Sequence, residues 1–327
     1  MSKRAVGQDH SRVTVVDIDD PTNGNAGVEF LDLDALQLQS QPMHVRRVVV
    51  RLESAAVIHQ STTLRIRART RIREGLLGYL VFGPQARGTV NGLVTRPDLM
   101  LAAAPGKENL LVTGGGWESI TFLVPPDDLH THLTARGREC EFHLPMGTEP
   151  LQVDVDRVRA LFDWAKRLAE TAEQRPSLFD EPTKERVAAR HELLEMLLST
   201  LRVAGDFEST RSDRTRQAQS QIVRIAEEYC LAHTDERIHV TDLCKAASVS
   251  ERTLEYAFRE IAGLTPMAYL VRLRLHRVRQ ALLGADPDST TVSVEALNWG
   301  FWHFGEFAGA YKECFGELPS ETLRRNP

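Results

Sequence analysis

The sequence predicts an α+β protein in which a β-rich N-terminal module precedes an all-helical C-terminal domain. Between residues 44 and 124, short apolar runs are broken by turn residues, which is typical of strands. From residue 155 onward, apolar residues recur at the three- and four-residue spacing of amphipathic helices. A polar stretch over residues 204–219 has too few apolar residues to fold alone. We therefore predict an N-terminal domain with C-terminal helices over 1–203, a linker over 204–219 and a second domain over 220–327.

The composition of the 327 residues, 42% hydrophobic and 26% charged, is that of a soluble globular protein. No apolar run resembles a signal peptide or a span of about 18 residues, so we expect a cytoplasmic protein without membrane contact. The four cysteines form no C-x-x-C pair, which argues against a zinc site and a disulfide framework. We expect free thiols, no metal and no cofactor. The net charge of −5 argues against a protein that coats DNA through bulk positive charge, so any DNA binding must come from local patches.

The β-rich module contains four apolar runs that are predicted as strands and one predicted hairpin. Asn91-Gly92 stands between two short apolar pairs, where residues that tolerate positive φ favour a tight hairpin. We expect a sandwich or barrel and favour a jelly roll. The runs predicted as strands are His44–Leu52, Thr63–Ala68, Leu76–Phe82 and Ile120–Val124.

Two amphipathic helices are predicted after this module, one from Val155 to Arg175-Pro176 and one over Pro182–Leu201. The second helix must bury an apolar stripe against another element. A dimer contact and packing on its own β-rich module are both compatible with the pattern. The stripe consists of Val187, Leu194, Leu197 and Leu198.

From Ser220 the helix signals fall into two similar halves. The first half predicts a helix over Gln221–His233, a second helix over Leu243–Ala247 capped by Thr241-Asp242, a break at Ser248-Val249 and a third helix that begins at Ser250. Two helices joined by such a short turn let the second of them enter a DNA major groove.

A long helix over Met267–Leu283 is predicted to connect the halves. It carries the densest basic cluster of the chain, formed by Arg272, Arg274, Arg277 and Arg279. The second half predicts helices over Val292–Asn298 and His303–Phe315, followed by a short helix from Pro319.

Two segments, LCKAASVSERTLEYAFREIAGLTPMAYLVRLRLHRVRQALL and WGFWHFGEFAGAYKECFGELPSETLR, closely resemble the double helix-turn-helix domain of AraC/XylS-type transcription regulators. The N-terminal module is similar, more loosely, to the cupin-like effector-binding and dimerisation domains of that family. The resemblance implies a homodimer that senses a small molecule, binds a double-stranded DNA operator, contacts RNA polymerase and activates or represses a promoter. Of these two, we favour an activator of a catabolic operon.

The resemblance also implies two DNA-reading helices. In the first, Arg252 is expected to form paired hydrogen bonds with guanine and Glu255 to accept one from cytosine. The first reader comprises Ser250, Arg252, Thr253, Glu255, Tyr256 and Arg259.

The second reader departs from the usual polar set, because several outward positions lack hydrogen-bonding side-chain atoms. Contact with thymine methyl groups, close backbone approach or positioning on phosphates are the alternatives. Its predicted DNA contacts are Trp302, His303, Phe304, Gly305, Ala308, Gly309 and Lys312. Arg272 and Arg274 of the connecting helix are further candidates, although Arg274 could instead brace the two halves.

Two other functions fit parts of the sequence. One is a ligand-independent DNA-binding protein whose β-rich module only dimerises. The other is a metal-dependent cupin enzyme, but His130 and His132 fall in a predicted helix, where i and i+2 side chains point to different faces. No nucleophile elbow, P-loop or dinucleotide motif is present, so we expect no enzyme. The sequence does not identify ligand-binding residues, because residues that line pockets resemble residues that fill cores.

Overall fold

The computed structural model of the protein describes residues 12–41, 43–137, 144–180, 183–234, 236–286 and 289–325. The predicted free thiol at Cys140 and the predicted helix start at Pro182 lie outside these residues. The α+β architecture is confirmed, since a β-rich module precedes a helical domain. Cys230, Cys244 and Cys314 are unpaired.

Two antiparallel sheets form the N-terminal module within the described residues. Sheet A contains, in spatial order, β1 (Val13–Ile18), β3 (Val45–Leu52), β4 (Ala55–Thr62), β11 (Trp117–Val124), β6 (Leu77–Phe82), β9 (Leu99–Ala103), β12 (Thr148–Gln152) and β13 (Gly205–Asp206). Sheet B contains β2 (Leu31–Gln37), β5 (Ile66–Ile72), β10 (Glu108–Thr113), β7 (Gly88–Val90) and β8 (Leu93–Val94). Apolar side chains of both sheets pack together between them, so the module is a sandwich.

The hairpin between β7 and β8 forms where it was predicted. Asn91 and Gly92 have φ angles of 50° and 81°. Two consecutive left-handed residues match the twist of the flanking strands. A Cβ on Gly92 would lie 2.6 Å from the carbonyl oxygen of Arg216, so this turn also packs closely against the C-terminal half of the chain.

Helices cover the outer face of sheet A. They are α1 (Pro126–Thr134), α2 (Val155–Gln174), α3 (Ser177–Asp180) and α4 (Lys184–Leu201). The apolar stripe of α4 lies in the core with α2 and sheet A, where Leu194, Leu197 and Leu198 are buried, whereas Val187 is 50% exposed. Of the two alternatives for this stripe, the contacts correspond to packing on its own module, because three of its four members have no surface left for a partner subunit.

Among its described residues, the regular secondary structure of the C-terminal domain is entirely helical. Its helices are α5 (Arg211–Ala232), α6 (Val240–Ala247), α7 (Glu251–Ile261), α8 (Pro266–Gly284), α9 (Val292–Asn298), α10 (Phe304–Phe315) and α11 (Pro319–Arg324). Helix α6 begins earlier than predicted. Its N-cap is His239, whose N–H donates to the Asp242 carboxylate at 2.9 Å, so Asp242 supports the helix start from inside the first turn.

Helix α5 begins at Arg211, inside the segment predicted as a linker and well before Gln221. The reason is a capping box, in which the Thr210 hydroxyl accepts from the Asp213 N–H and the Asp213 carboxylate accepts from the Thr210 N–H. Capping and the neighbouring β-rich module therefore support a helix that the polar composition did not predict.

The two halves of the C-terminal domain have different surroundings. Buried Leu254 and Phe258 of α7 share a core with Leu36 and Val112 of sheet B. The second half has a separate core, centred on Phe307 of α10 and on apolar residues of α8. The first helix-turn-helix unit is thus packed against the β-rich module.

In the part of the chain that the structure describes, no helix is both long enough and apolar enough to cross a membrane.

Candidate DNA-binding interface

Helix α7 presents the predicted first reader on an exposed face. Its N-cap is Ser250, whose hydroxyl accepts from the Thr253 N–H at 3.2 Å. Leu254 and Phe258 recur at helical spacing and bury the opposite face. The predicted contacts are consequently all exposed, namely Ser250, Arg252, Thr253, Glu255, Tyr256 and Arg259.

Contacts among these reader residues are local and weak. The Arg252 guanidinium lies 5.5 Å from the centre of the Tyr256 ring and donates to its hydroxyl at 3.4 Å. Arg259 and Glu255 approach to 4.0 Å. Exposed pairs of this kind contribute at most about 1 kcal/mol, so both arginines are able to leave them for DNA.

Helix α10 presents the predicted second reader, which begins after His303 as N-cap. Trp302 and Phe304 are 58% and 42% exposed, unusually high for aromatic side chains. A Cβ added to Gly305 or Gly309 would meet no atom within 4 Å. Packing inside the protein therefore does not require glycine at either position. The absence of side chains at both positions would let another molecule approach the helix backbone closely. Lys312 is exposed on the same helix, and Ala308 is half-buried.

The arginines of α8 contact protein groups. Arg272 donates to the Ser40 hydroxyl at 3.0 Å. Arg274 donates to the Glu236 carbonyl oxygen at 3.0 Å, and a Cβ on Gly300 would come within 2.7 Å of its guanidinium. Arg274 therefore lies between the first and second halves, as the bracing alternative requires. The DNA contacts of Arg272 and Arg274 stay a prediction.

Comparison with known proteins assigns the helical domain to a family. Residues 243–325 match the family profile described as "Helix-turn-helix domain". The chain is 40% identical over 136 residues to the "Probable thc operon regulatory protein" of Rhodococcus erythropolis, and 40% identical over 88 residues to the "XylDLEGF operon transcriptional activator 1" of Pseudomonas putida. The C-terminal domain belongs to the AraC-type helix-turn-helix family.

These alignments are limited to part of each relative. They cover 41% and 27% of this chain and the same shares of the two relatives. A crystal structure titled as a probable AraC family transcriptional regulator from Rhodopseudomonas palustris is 38% identical, over 32% of this chain and 97% of that one, with a TM-score of 0.30. The two curated relatives are named as operon regulators, and neither name describes an enzyme.

A buried ionic cluster joins the AraC-type domain to the β-rich module. Glu227 of α5, with no exposed surface, forms an ion pair with Arg67 of β5 and lies 3.3 Å from Arg69. The Tyr269 hydroxyl of α8 also donates to Glu227. Burial opposes the charge of Arg67, but the carboxylates of Glu227 and Asp34 more than offset it and raise the pKa of Arg67.

Asp34 of β2 extends this cluster. It accepts two hydrogen bonds of 2.8 Å from Arg277 and one of 3.0 Å from Arg67. Burial by itself would raise the pKa of Asp34, but the two guanidinium groups lower it below its usual value. The alternating arginines of β5 signalled a charged strand face in the sequence, but nothing local indicated the partners.

A cavity of about 80 Å³ lies between the two sheets. Its lining is mainly apolar, and Arg47 is the only charged residue among the described residues that line it. Along the strands of sheet B, side chains point alternately into the cavity and towards the helical domain. In β5, Ala68 and Thr70 line the cavity, whereas Arg67 and Arg69 on the opposite face contact Glu227.

Among the described residues, no cluster of three or more His, Cys, Asp or Glu side chains is placed to hold a metal ion. His130 is exposed, while His132 is buried and lies 2.8 Å from Glu195. The two histidines therefore face different sides of α1, as predicted.

Because His276 is buried with a lowered pKa, we expect the stability of the protein to depend on pH. His276 is buried on α8, its Nε2 accepts from the Gln37 N–H at 3.3 Å, and burial, reinforced by Arg272, lowers its pKa to about 3. Between that pKa and the unfolded value of about 6.5, only the unfolded chain binds the proton, so stability falls as the pH falls. From pH 7 to pH 5 this group is expected to cost about 2 kcal/mol.

Urea unfolding of wild type and His276→Gln at both pH values measures this contribution. The variant should lose about 2 kcal/mol less than wild type over the interval. His130→Gln, which changes an exposed histidine, should follow the wild type. Equal losses in wild type and His276→Gln would contradict the prediction.

Proposed function

We propose that the protein is a ligand-responsive transcription regulator that binds promoter DNA as a homodimer and activates a catabolic operon. The exposed reader helices of an AraC-type domain support DNA binding. The names of the two operon regulators support the regulatory role. A dimer would place two such domains on one duplex and so raise the effective concentration of the second.

One observation carries the ligand-responsive part of the proposal, namely that strands β2 and β5 belong to both the cavity and the domain contact. On β2, Leu33 lines the cavity and the adjacent Asp34 pairs with Arg277 of α8. On β5, Thr70 lines the cavity and the adjacent Arg69 lies against Glu227 of α5. Only the thickness of one strand separates the two sites.

This arrangement supports a direct physical coupling. Close-packed interiors transmit small displacements, because a wall residue has little free volume in which to absorb them. A ligand that displaces the cavity side chains of β5 would shift the guanidinium groups on the other face of the strand. The helices α5 and α8 would then change their positions relative to sheet B, and with them the placement of α7.

The function is tested by binding-site selection from randomised duplexes, followed by a thermal-shift screen of metabolites. The expected results are a selected sequence with two related half-sites and a metabolite that raises the melting temperature and changes DNA affinity. Failure to select any sequence would overturn DNA recognition. A selected sequence without a responsive metabolite would favour the ligand-independent alternative.

The two readers are expected to respond differently to substitution. Arg252→Ala should relax the preference at one base pair by about 1–3 kcal/mol, because it removes a paired hydrogen-bond donor to a base edge. Gly309→Val should instead weaken binding to many sequences, since the fold leaves open space there and the added bulk meets only DNA.

Site selection with wild type and both variants at one stated salt concentration measures these effects. Arg237→Ala, which removes an exposed arginine outside both reader helices, serves as the control for loss of positive charge. An unchanged motif for Arg252→Ala, together with narrowed selectivity for Gly309→Val, would show that the roles are assigned wrongly.

A further inference from the structure

We propose that the cavity between the sheets binds a compact monocarboxylic acid, whose carboxylate is held by Arg47, Gln60 and Ser119. This inference names the ligand class of the effector site and rests on the proposed function for its regulatory meaning. Its chemical basis is independent, because it depends only on the donors and charges that face the cavity.

Three polar side chains form a row across the inner face of sheet A. Arg47 of β3 lies directly opposite Gln60 of β4, and Gln60 lies directly opposite Ser119 of β11. All three line the cavity, and their apolar neighbours there include Ile58 and Leu80. Neighbouring strands are about 4.8 Å apart, so the row spans about 10 Å, the dimension of a small molecule.

Arg47 is a buried cation with neutral partners only. It is 2% exposed and donates to the Gln60 side-chain oxygen and to the carbonyl oxygens of Gly24 and Ala26, at 2.6 to 3.1 Å. No carboxylate pairs with it among the described residues. Burial lowers its pKa to about 10, so it remains charged at neutral pH.

The contrast with Arg67 shows what is missing at Arg47. Arg67 is equally buried but pairs with Glu227 and Asp34. A buried charge without a counter-charge is costly, and an anion placed beside it removes part of that cost. The cavity therefore favours an anionic ligand over a neutral one of the same shape.

Gln60 and Ser119, the other two members of the row, each have a hydrogen-bond donor that is available to an anion. The Gln60 side-chain oxygen faces Arg47, which leaves its amide nitrogen to donate elsewhere. The Ser119 hydroxyl accepts from the Trp117 indole N–H at 3.2 Å and keeps its own proton for donation. Among the described residues neither donor has an acceptor, so a carboxylate would satisfy both.

The size and polarity of the cavity limit the rest of the ligand. Its volume of about 80 Å³ is smaller than the 150 Å³ of an apolar cavity that binds benzene. Beyond the polar row, most of the wall is aliphatic or aromatic. A short aliphatic acid fits both constraints, with its carboxylate at the row and its alkyl part against the apolar wall.

The test compares acids with their uncharged amides on the full chain. Propionate, isobutyrate and benzoate are titrated by calorimetry alongside propionamide, isobutyramide and benzamide. At least one acid should bind at least tenfold more tightly than its amide, and the short aliphatic acids should bind more tightly than benzoate. This comparison needs no variant. Equal binding of each acid and its amide, or no binding by any acid, would overturn the proposal.

Variants locate the site. Arg47→Gln should weaken acid binding at least about 30-fold, because it removes the cation from a buried charge pair. Ser119→Ala, a smaller change, should weaken it about two- to tenfold through loss of one hydrogen bond. Arg73→Gln, which alters an exposed arginine on the outside of the module, should have no effect. Acid binding unaffected by both Arg47→Gln and Ser119→Ala would place the site elsewhere and overturn the assignment.

The outcomes separate this inference from the proposed function. A neutral molecule that fills the cavity and changes DNA affinity would overturn the carboxylate assignment and leave ligand-responsive regulation intact. An acid that binds through Arg47 without changing DNA affinity would support the site and contradict its regulatory role.

Discussion

Glu227→Gln is expected to lower the free energy of unfolding by about 3–5 kcal/mol, because it removes the buried carboxylate that pairs with buried Arg67. Glu227 has no exposed surface and faces Arg67, which is 1% exposed. It also lies 3.3 Å from Arg69 and accepts the Tyr269 hydroxyl hydrogen bond. The substitution keeps the shape of the side chain, so the loss reports the charge.

Urea unfolding at neutral pH measures this loss, with Glu228→Gln as a matched control. Glu228 follows directly in α5, but its side chain is 49% exposed and no nearer than 3.7 Å to Arg69. Its substitution should therefore lower the free energy of unfolding by at most about 1 kcal/mol. Equal effects of the two substitutions would contradict the role of the buried cluster. The double variant Arg67→Leu, Glu227→Leu should recover part of the stability, since it removes both charges.

Leu197→Ala is expected to lower the free energy of unfolding by about 2–5 kcal/mol and to leave the oligomeric state unchanged. Leu197 lies on α4 with no exposed surface, in the core that α2 and sheet A share. The substitution creates a cavity inside one module. It does not alter a surface on which a second subunit could pack.

Unfolding and sedimentation of the same samples distinguish the two alternatives for the α4 stripe. Val187→Ala, on the exposed part of the same stripe, should change stability by no more than about 0.5 kcal/mol. If Leu197→Ala instead retained the wild-type unfolding free energy and sedimented as a smaller species, the stripe would be a subunit interface.

Local features of the C-terminal domain could be predicted because their causes lie within a few residues. Ser250 caps α7 through a hydrogen bond to Thr253, and Gly263 follows the helix with a φ of 74°. The spacing of Leu254 and Phe258 decided which face of α7 is buried. The exposed reader positions then followed without knowledge of the rest of the molecule.

The start of α5 shows how a composition argument failed. Residues 204–219 are polar, and a polar segment cannot bury enough surface to fold alone. The segment does not stand alone, however, because Arg216 and Gln217 lie against the hairpin turn at Gly92. The Thr210 capping box then begins the helix, and it lies inside the stretch that the composition predicted as a linker.

By itself, the sequence determined the α+β class and most helices of the C-terminal domain, because periodicity and capping act over one or two turns of chain. Only the tertiary structure decided the partners of the charged residues. Arg277 was visible as part of a basic cluster, yet it pairs with Asp34, which is 243 residues away. Arg47 is one of three arginines in β3, and its position beside a cavity depends on the meeting of two sheets. Such partners are brought together by packing, so no local pattern encodes them.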